Sequence, residues 1–242
     1  MQLFSSGKYM QAIEQKALAE IISKVLYPDD NHFEGKSLRL KQQYFLVSAS
    51  VQRIVRSHLK HYGTLDNLHE KKAIQLNDTH PALVVPELMR ILMDDHGYSW
   101  ERAWHIVTNT VSYTNHTVMP EALEQWPEAL VQMHMPRILG IVKEINERAC
   151  RELFARTDDM EAVARMAIVR DGVLHMANMS VIASAHVNGV SALHSRILKD
   201  DLFHSFYRLD PGKFLNVTNG IAHRRWLCQA NPGLSALIGE LC

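Results

Sequence analysis

Two strings constrain this chain more than any bulk property: QLNDTHPAL (75–83) and YTNHTVMPEALEQW (113–126). In each, an apolar run with strand character stops abruptly in a cluster of Asn, Asp, Thr and His. Ile74, Gln75 and Leu76 read as the end of a short buried strand, and Pro81 blocks regular continuation beyond His80. Val111 to Tyr113 leads into Thr114, Asn115, His116 and Thr117, and Pro120 then stands where a helix opens well. Short strands with polar ends are the elements that edge a ligand crevice in an open α/β sheet.

The surrounding pattern agrees. Residues 9–26 carry Ile13, Ala17, Ile21 and Val25 at helical spacing, and residues 37–60 form a second long helical pattern. Helices are expected over 83–96, stopped by Gly97, and from Ser99 as a simple N-cap to about Thr108. A long helical pattern over 127–154 is divided at Pro136, and Asp158 is expected to cap a shorter helix. The run SVIAS (180–184) is taken as another buried strand, although a buried helix segment would read the same way. Asn188-Gly189 reads as a turn before a helix over 190–199. The run 214–218 is expected as a last strand, followed by Asn219-Gly220 and a helix from His223. Helices alternating with short strands predict an α/β fold, helix-rich, with a short and mainly parallel sheet.

Composition narrows the partners. Lys plus Arg and Asp plus Glu both number 26, so the chain has no electrostatic footprint for nucleic acid or an anionic membrane. No apolar run reaches the ~18 residues of a membrane span. Cys150, Cys228 and Cys242 are odd in number and widely spaced, which fits neither a disulfide framework nor a cysteine zinc site, and a reducing cytoplasm is the simplest compartment. The 14 histidines include no H-E-x-x-H, so no metal site is expected.

Taken singly, the polar clusters have plain readings. Asp78 two residues before His80 can close an Asx-turn, or it can orient an imidazole or bind hydroxyls. His116 can belong to a loop in which Thr117 caps the helix at Pro120, or can offer a fixed backbone acceptor at a strand end and a ring able to hydrogen-bond a ligand hydroxyl. Asn219-Gly220 is a turn dipeptide, and the 29–32 loop is an exposed turn by spacing alone. Arg224 and Arg225 point to different faces of a helix and read as structural.

Their order along the chain is more informative. VLYPDDNHFEGKSLRLKQQYF (25–45), QLNDTHPALVVPELMRIL (75–92), YTNHTVMPEALEQW, MANMSVIASAHVNGVSALHSRILK (176–199) and KFLNVTNGIAHRRWL (213–227) together resemble the α-glucan (glycogen, starch, maltodextrin) phosphorylases. The resemblance implies a glycosyltransferase-B architecture of two Rossmann-like domains, with the active site in the cleft between them. It implies retaining, reversible phosphorolysis of a terminal α-1,4-linked glucose to glucose 1-phosphate, with pyridoxal 5′-phosphate as cofactor on a lysine. Glucan and inorganic phosphate are then the partners, and the parent enzyme is expected to be a homodimer.

Residue by residue, the resemblance makes His116 the histidine whose carbonyl faces the reacting sugar carbon. Asn219 binds hydroxyls of the same sugar, and Asn31 lies near its 2-hydroxyl on a gate loop that carries Asp30. Asp78 and His80 line the pocket. His32, His223 and the Ala185-His186 order depart from the family pattern, and none of these is a sugar contact. No segment matches the family's cofactor lysine or its glycine-rich phosphate loop. Residues 1–242 are therefore expected to be the latter part of the first, sugar-side domain, with upstream and cofactor-bearing parts absent, and to be inactive alone. The rival expectations are a non-catalytic glucan-binding or assembly module, and a hydrolase using His80 or His116 with Asp78.

Overall fold

The computed structural model describes residues 2–241. In chain order its principal elements begin with helix α1 (Tyr9–Lys24), helix α2 (Phe33–Tyr62), strand β1 (Ile74–Asn77), helix α3 (Val84–Arg90), helix α4 (Trp100–Thr110) and strand β2 (Val111–Thr114). The middle of the chain forms β3 (Gln125–Pro127), α5 (Glu128–His134), α6 (Pro136–Thr157), α7 (Met160–Met166), β4 (Val169–Arg170), β5 (Val173–His175) and α8 (Met176–Ala183). It ends with β6 (Val187–Gly189), α9 (Ala192–Ile197), α10 (His204–Leu209), β7 (Phe214–Asn216), α11 (His223–Ala230) and α12 (Pro232–Leu241).

The caps that bound these helices are local and legible. His32 Nδ1 accepts the Gly35 N–H at the start of α2, and Gly63 ends that helix in the left-handed conformation at φ 72°. Ser99 Oγ accepts from the Arg102 amide ahead of α4, as expected. Pro136 separates α5 from α6 by occupying the first position of α6, where its missing N–H removes nothing. One cap is shifted from expectation: Asp158 closes α6 at φ 50°, and Asp159 caps α7, accepting from the Glu161 and Ala162 amides.

β1, β2, β6 and β7 form a parallel sheet in the order β1-β2-β6-β7, with Leu76 opposite Tyr113 and Tyr113 opposite Val187. Leu76, Tyr113, Val187 and Phe214 are buried in one core with the inner faces of α3, α4, α6 and α8. α3 packs against α2, α4 and α6. A second, antiparallel sheet, β3-β5-β4, buries Trp126 and was not anticipated.

Two expectations fail here. The run 180–184 is not a strand: residues Met176–Ala183 are helical. Met176, Ala177, Met179, Ser180, Val181 and Ala183 are all buried, so the helix shows no polar face by which its period could be read. Met and Ala favour helix, and Ser180 Oγ bonds back to the Met176 carbonyl at 2.9 Å. Conversely, Asn188-Gly189 is not a turn. It ends β6, between β2 and β7 in the sheet. No helix among the described residues is long and apolar enough to cross a membrane.

Candidate active site

All four strands of the parallel sheet run the same way, so their C-terminal ends share one edge. Three strands are stitched there by side chains. Gln75 Nε2 donates to Thr114 Oγ1 at 2.8 Å, and Thr114 Oγ1 donates to Asn188 Oδ1 at 2.8 Å. Beyond this belt, His116 Nε2 lies 2.5 Å from Asn77 Oδ1, which joins the ends of β1 and β2. His116 is exposed, so its ring is held in place while remaining open to a ligand.

Asn219 lies three residues past β7, and its N–H donates to the Val190 carbonyl at 2.9 Å. The strand order puts Asn219 two strand spacings from β2, roughly 10 Å away, on the same edge as His116. Gly189 is needed for this geometry. A Cβ there would lie 2.7 Å from Ser195 Oγ and 2.8 Å from the Ser195 amide, so only glycine lets α9 approach β6.

Asp30, Asp78 and His80 come together. With Lys36, Arg39 and Thr117 they line a polar cleft of about 310 Å³ beside the sheet edge. Asp30 is tied to Arg39 by a 2.6 Å ion pair, and Arg39 lies 3.9 Å from Glu124. Asn31, on the same loop, donates from both its amide nitrogens to Asp29 Oδ1, at 3.0 and 2.7 Å. Asp78 does not orient His80. Its Oδ1 accepts the N–H of Thr79 at 2.6 Å, and its backbone sits at φ 106°, a conformation that L-residues rarely adopt. Backbone strain of this kind, about 1–3 kcal/mol, collects at functional sites. Thr117 does not cap a helix; Pro120–Ala122 is a single 3-10 turn preceded by Met119.

Several neighbours of the candidate site escaped the sequence reading: Asn77 as the partner of His116, Asn188 as the far end of the polar belt, and His194. His194 Nε2 reaches Asn115 Oδ1 at 3.1 Å across 79 residues. No local pattern announces such a contact, since His194 stands inside an ordinary helix with a Ser191 cap.

The whole chain, residues 1–242, matches the model of the family described as carbohydrate phosphorylases. The chain belongs to that family. It is 53% identical over 229 residues to the glycogen phosphorylase of Bacillus subtilis (strain 168), covering 94% of this chain and 29% of that protein. It is 49% identical over 249 residues to the muscle form of glycogen phosphorylase from Bos taurus, covering 98% and 30%. The glycogen phosphorylase of Chlamydia pneumoniae is 49% identical over 241 residues, covering 98% and 29%. The chain thus spans a little under a third of the length of the phosphorylases it matches. In this phosphorylase chain, the sheet edge carries His116 and Asn219 and the adjoining cleft is lined by Asp30, Asp78 and His80, whereas Asn31 is bonded to Asp29 within its own loop.

Proposed function

We propose that this chain supplies the sugar-side half of an α-glucan phosphorylase active site, in which inorganic phosphate releases the terminal α-1,4-linked glucose of a glucan as glucose 1-phosphate with retained configuration. The observation that carries this reading is the shared C-terminal edge, where His116, fixed by Asn77, and Asn219 flank the polar belt of Gln75, Thr114 and Asn188. In this role the His116 carbonyl faces the sugar carbon that becomes positive, and its ring and the Asn219 amide hold hydroxyls. A fixed dipole beside a developing oxocarbenium ion stabilises it without reorganisation. Asn31, Asp78 and His80 complete the hydroxyl contacts. Asp30, held by Arg39, keeps the gate loop against α2.

The family uses pyridoxal 5′-phosphate. The residues described here do not fit that group. Lys36, the lysine of the polar cleft, is exposed. The mostly buried Lys213 stands just before β7, at the opposite edge of the sheet, and donates to the Ile182 carbonyl at 3.3 Å. The proposed parent enzyme therefore carries the cofactor on residues outside these 242, in the second domain of a glycosyltransferase-B architecture, and 1–242 form the latter part of the first domain.

The apolar side chains that α1 leaves exposed, Tyr9, Met10, Ile13 and Leu18, support self-association of the parent as a homodimer. The free thiols of Cys150 and Cys228 support a reducing, cytoplasmic setting. Neither His80 nor His116 hydrogen-bonds Asp78, so the hydrolase reading finds no support in the geometry.

The test is a chimera in which these 242 residues replace the matching segment of the Bacillus subtilis enzyme. Glucose 1-phosphate release from glycogen is expected. His116→Ala keeps the backbone carbonyl but removes the ring contact and the tie to Asn77 that fixes the segment, and is expected to lower kcat by about a hundredfold through misplacement of the carbonyl, with Asn219→Ala acting in the same direction. A folded chimera that binds glycogen without releasing glucose 1-phosphate would favour a glucan-binding module instead.

A further inference from the structure

His116 reaches its proposed place only if the backbone on either side of it is fixed, and two buried side chains do this. Asn115 is fully buried, with 0% of its surface exposed. Its N–H closes the sheet ladder onto the Asn188 carbonyl at 3.0 Å. Its Oδ1 accepts from the Thr117 N–H at 2.9 Å and faces His194 Nε2 at 3.1 Å, while its Nδ2 donates to the Tyr113 hydroxyl at 2.8 Å. A carboxamide oxygen has two lone pairs, and both are used.

His194 is also buried, and its role follows from the partners of its two nitrogens. The Val190 N–H donates to Nδ1 at 3.2 Å, so Nδ1 carries no proton. Nε2 therefore holds the proton, and shares it between Asn115 Oδ1 and the Thr117 carbonyl at 3.3 Å. The residue before His116 and the residue after it are both bound to this one imidazole. Ser191 Oγ accepts the His194 N–H at 3.1 Å and sets the start of the helix that presents the ring.

We infer that His194 is a positioning residue for the phosphorolysis proposed above, holding the 115–117 segment through Asn115 and Thr117 so that the His116 carbonyl points at the sugar. This rests on His116 being the sugar-side histidine, whereas the geometric part stands by itself. His194 touches no substrate. It acts from α9 through residues just past the end of β2, and a donor at Nε2 is the property that matters. A misplacement of about 1 Å in such a carbonyl is enough to lower turnover a hundredfold.

Two measurements test it separately. In this chain, nitrogen-15 NMR is expected to show His194 as the Nε2–H tautomer. The Thr117 amide is expected to be protected from exchange in the native chain, and to exchange about tenfold faster in His194→Met, the size of one lost hydrogen bond. A different tautomer, or a Thr117 amide as exposed as those of free loops, overturns the positioning without the need for any variant.

In the chimeric enzyme, His194→Met is expected to lower kcat about a hundredfold with the glucan KM little changed. His194→Gln, whose amide nitrogen can replace the Nε2 donor, is expected to recover activity to within about tenfold. Equal kcat in His194→Met and the unsubstituted chimera, or no recovery in a folded His194→Gln, overturns the inference. A chimera that makes no glucose 1-phosphate although the NMR results are as expected overturns the phosphorolysis reading, and leaves His194 as the residue that holds His116.

Discussion

Asp78, which lines the polar cleft, holds its backbone in a conformation that costs free energy. Its φ of 106° is tolerated by glycine and resisted by any side chain with a Cβ. Both Asp78→Gly and Asp78→Ala lose the bond to the Thr79 amide, but only alanine keeps the strained Cβ. Asp78→Ala is expected to be less stable than Asp78→Gly by about 1–2 kcal/mol, read from urea midpoints. Equal midpoints would mean that the backbone relaxes. Glu87 is the other residue with a sharp expectation. It is 0% exposed and receives hydrogen bonds from Tyr44, Ser48 and Arg90, the last through both Nε and Nη2. Burial, reinforced by the Glu87 carboxylate, pushes the Tyr44 hydroxyl up to about 12. Glu87→Ala would leave the partly buried Arg90 guanidinium with Asp95 as its remaining partner and take the acceptor from the Tyr44 and Ser48 hydroxyls, and is expected to destabilise by about 3 kcal/mol, whereas Asp66, exposed and bound to Arg102, belongs to the class of pairs whose removal changes little.

At the scale of elements, the contact between β6 and α9 depends on Gly189. Gly189→Ala would press a methyl group against the Ser195 backbone, which cannot swing away, and overpacking of this kind typically destabilises by about 1–3 kcal/mol. A midpoint unchanged by this substitution would mean that α9 is free to shift outward. The ends of α5 and β5 carry a pH dependence. Burial holds the His134 ring, bonded to Ser37 at 2.7 Å, below the usual histidine range, with Lys41 adding to the effect. Burial likewise lowers His175, with Arg170 assisting. Both folded-state values are depressed, so the unfolded chain takes up protons first as the pH falls. Their contribution to stability is complete above the ordinary value of ~6.5 and is lost as the pH drops below it. The double variant His134→Gln, His175→Gln is expected to flatten this part of the stability profile, and an unchanged slope would exclude them as its source.

For the whole molecule, the outstanding feature is a surface that the chain does not cover. α11 and α12 pack on each other with no fully buried residue in either, and Trp226 in α11 and Leu234, Leu237 and Leu241 in α12 remain exposed. Apolar side chains left exposed in this number on one helix pair favour association. The purified chain is expected to self-associate with rising concentration in sedimentation experiments, and Leu237→Ser with Leu241→Ser to reduce this. A monomer at every concentration would show that the two helices fold back on the body in solution.

The sequence by itself determined the elements whose signals are local. Gly63 and Ser99 end and begin helices through bonds spanning three or four residues, and Pro136 divides a helix by its own ring. β1, β2 and the start of β7 were readable because apolar residues stop at polar ones within a few positions. The order of the five strings carried the family. Only the tertiary structure decided that 176–183 is a helix, because a segment buried on every side hides its period. Only it placed Asn188-Gly189 inside a sheet, where two neighbouring strands override a turn-forming dipeptide. Only it joined Asn115 to His194, because a hydrogen bond across 79 residues leaves no pattern in either neighbourhood and exists only once the sheet edge and the helix beside it have packed.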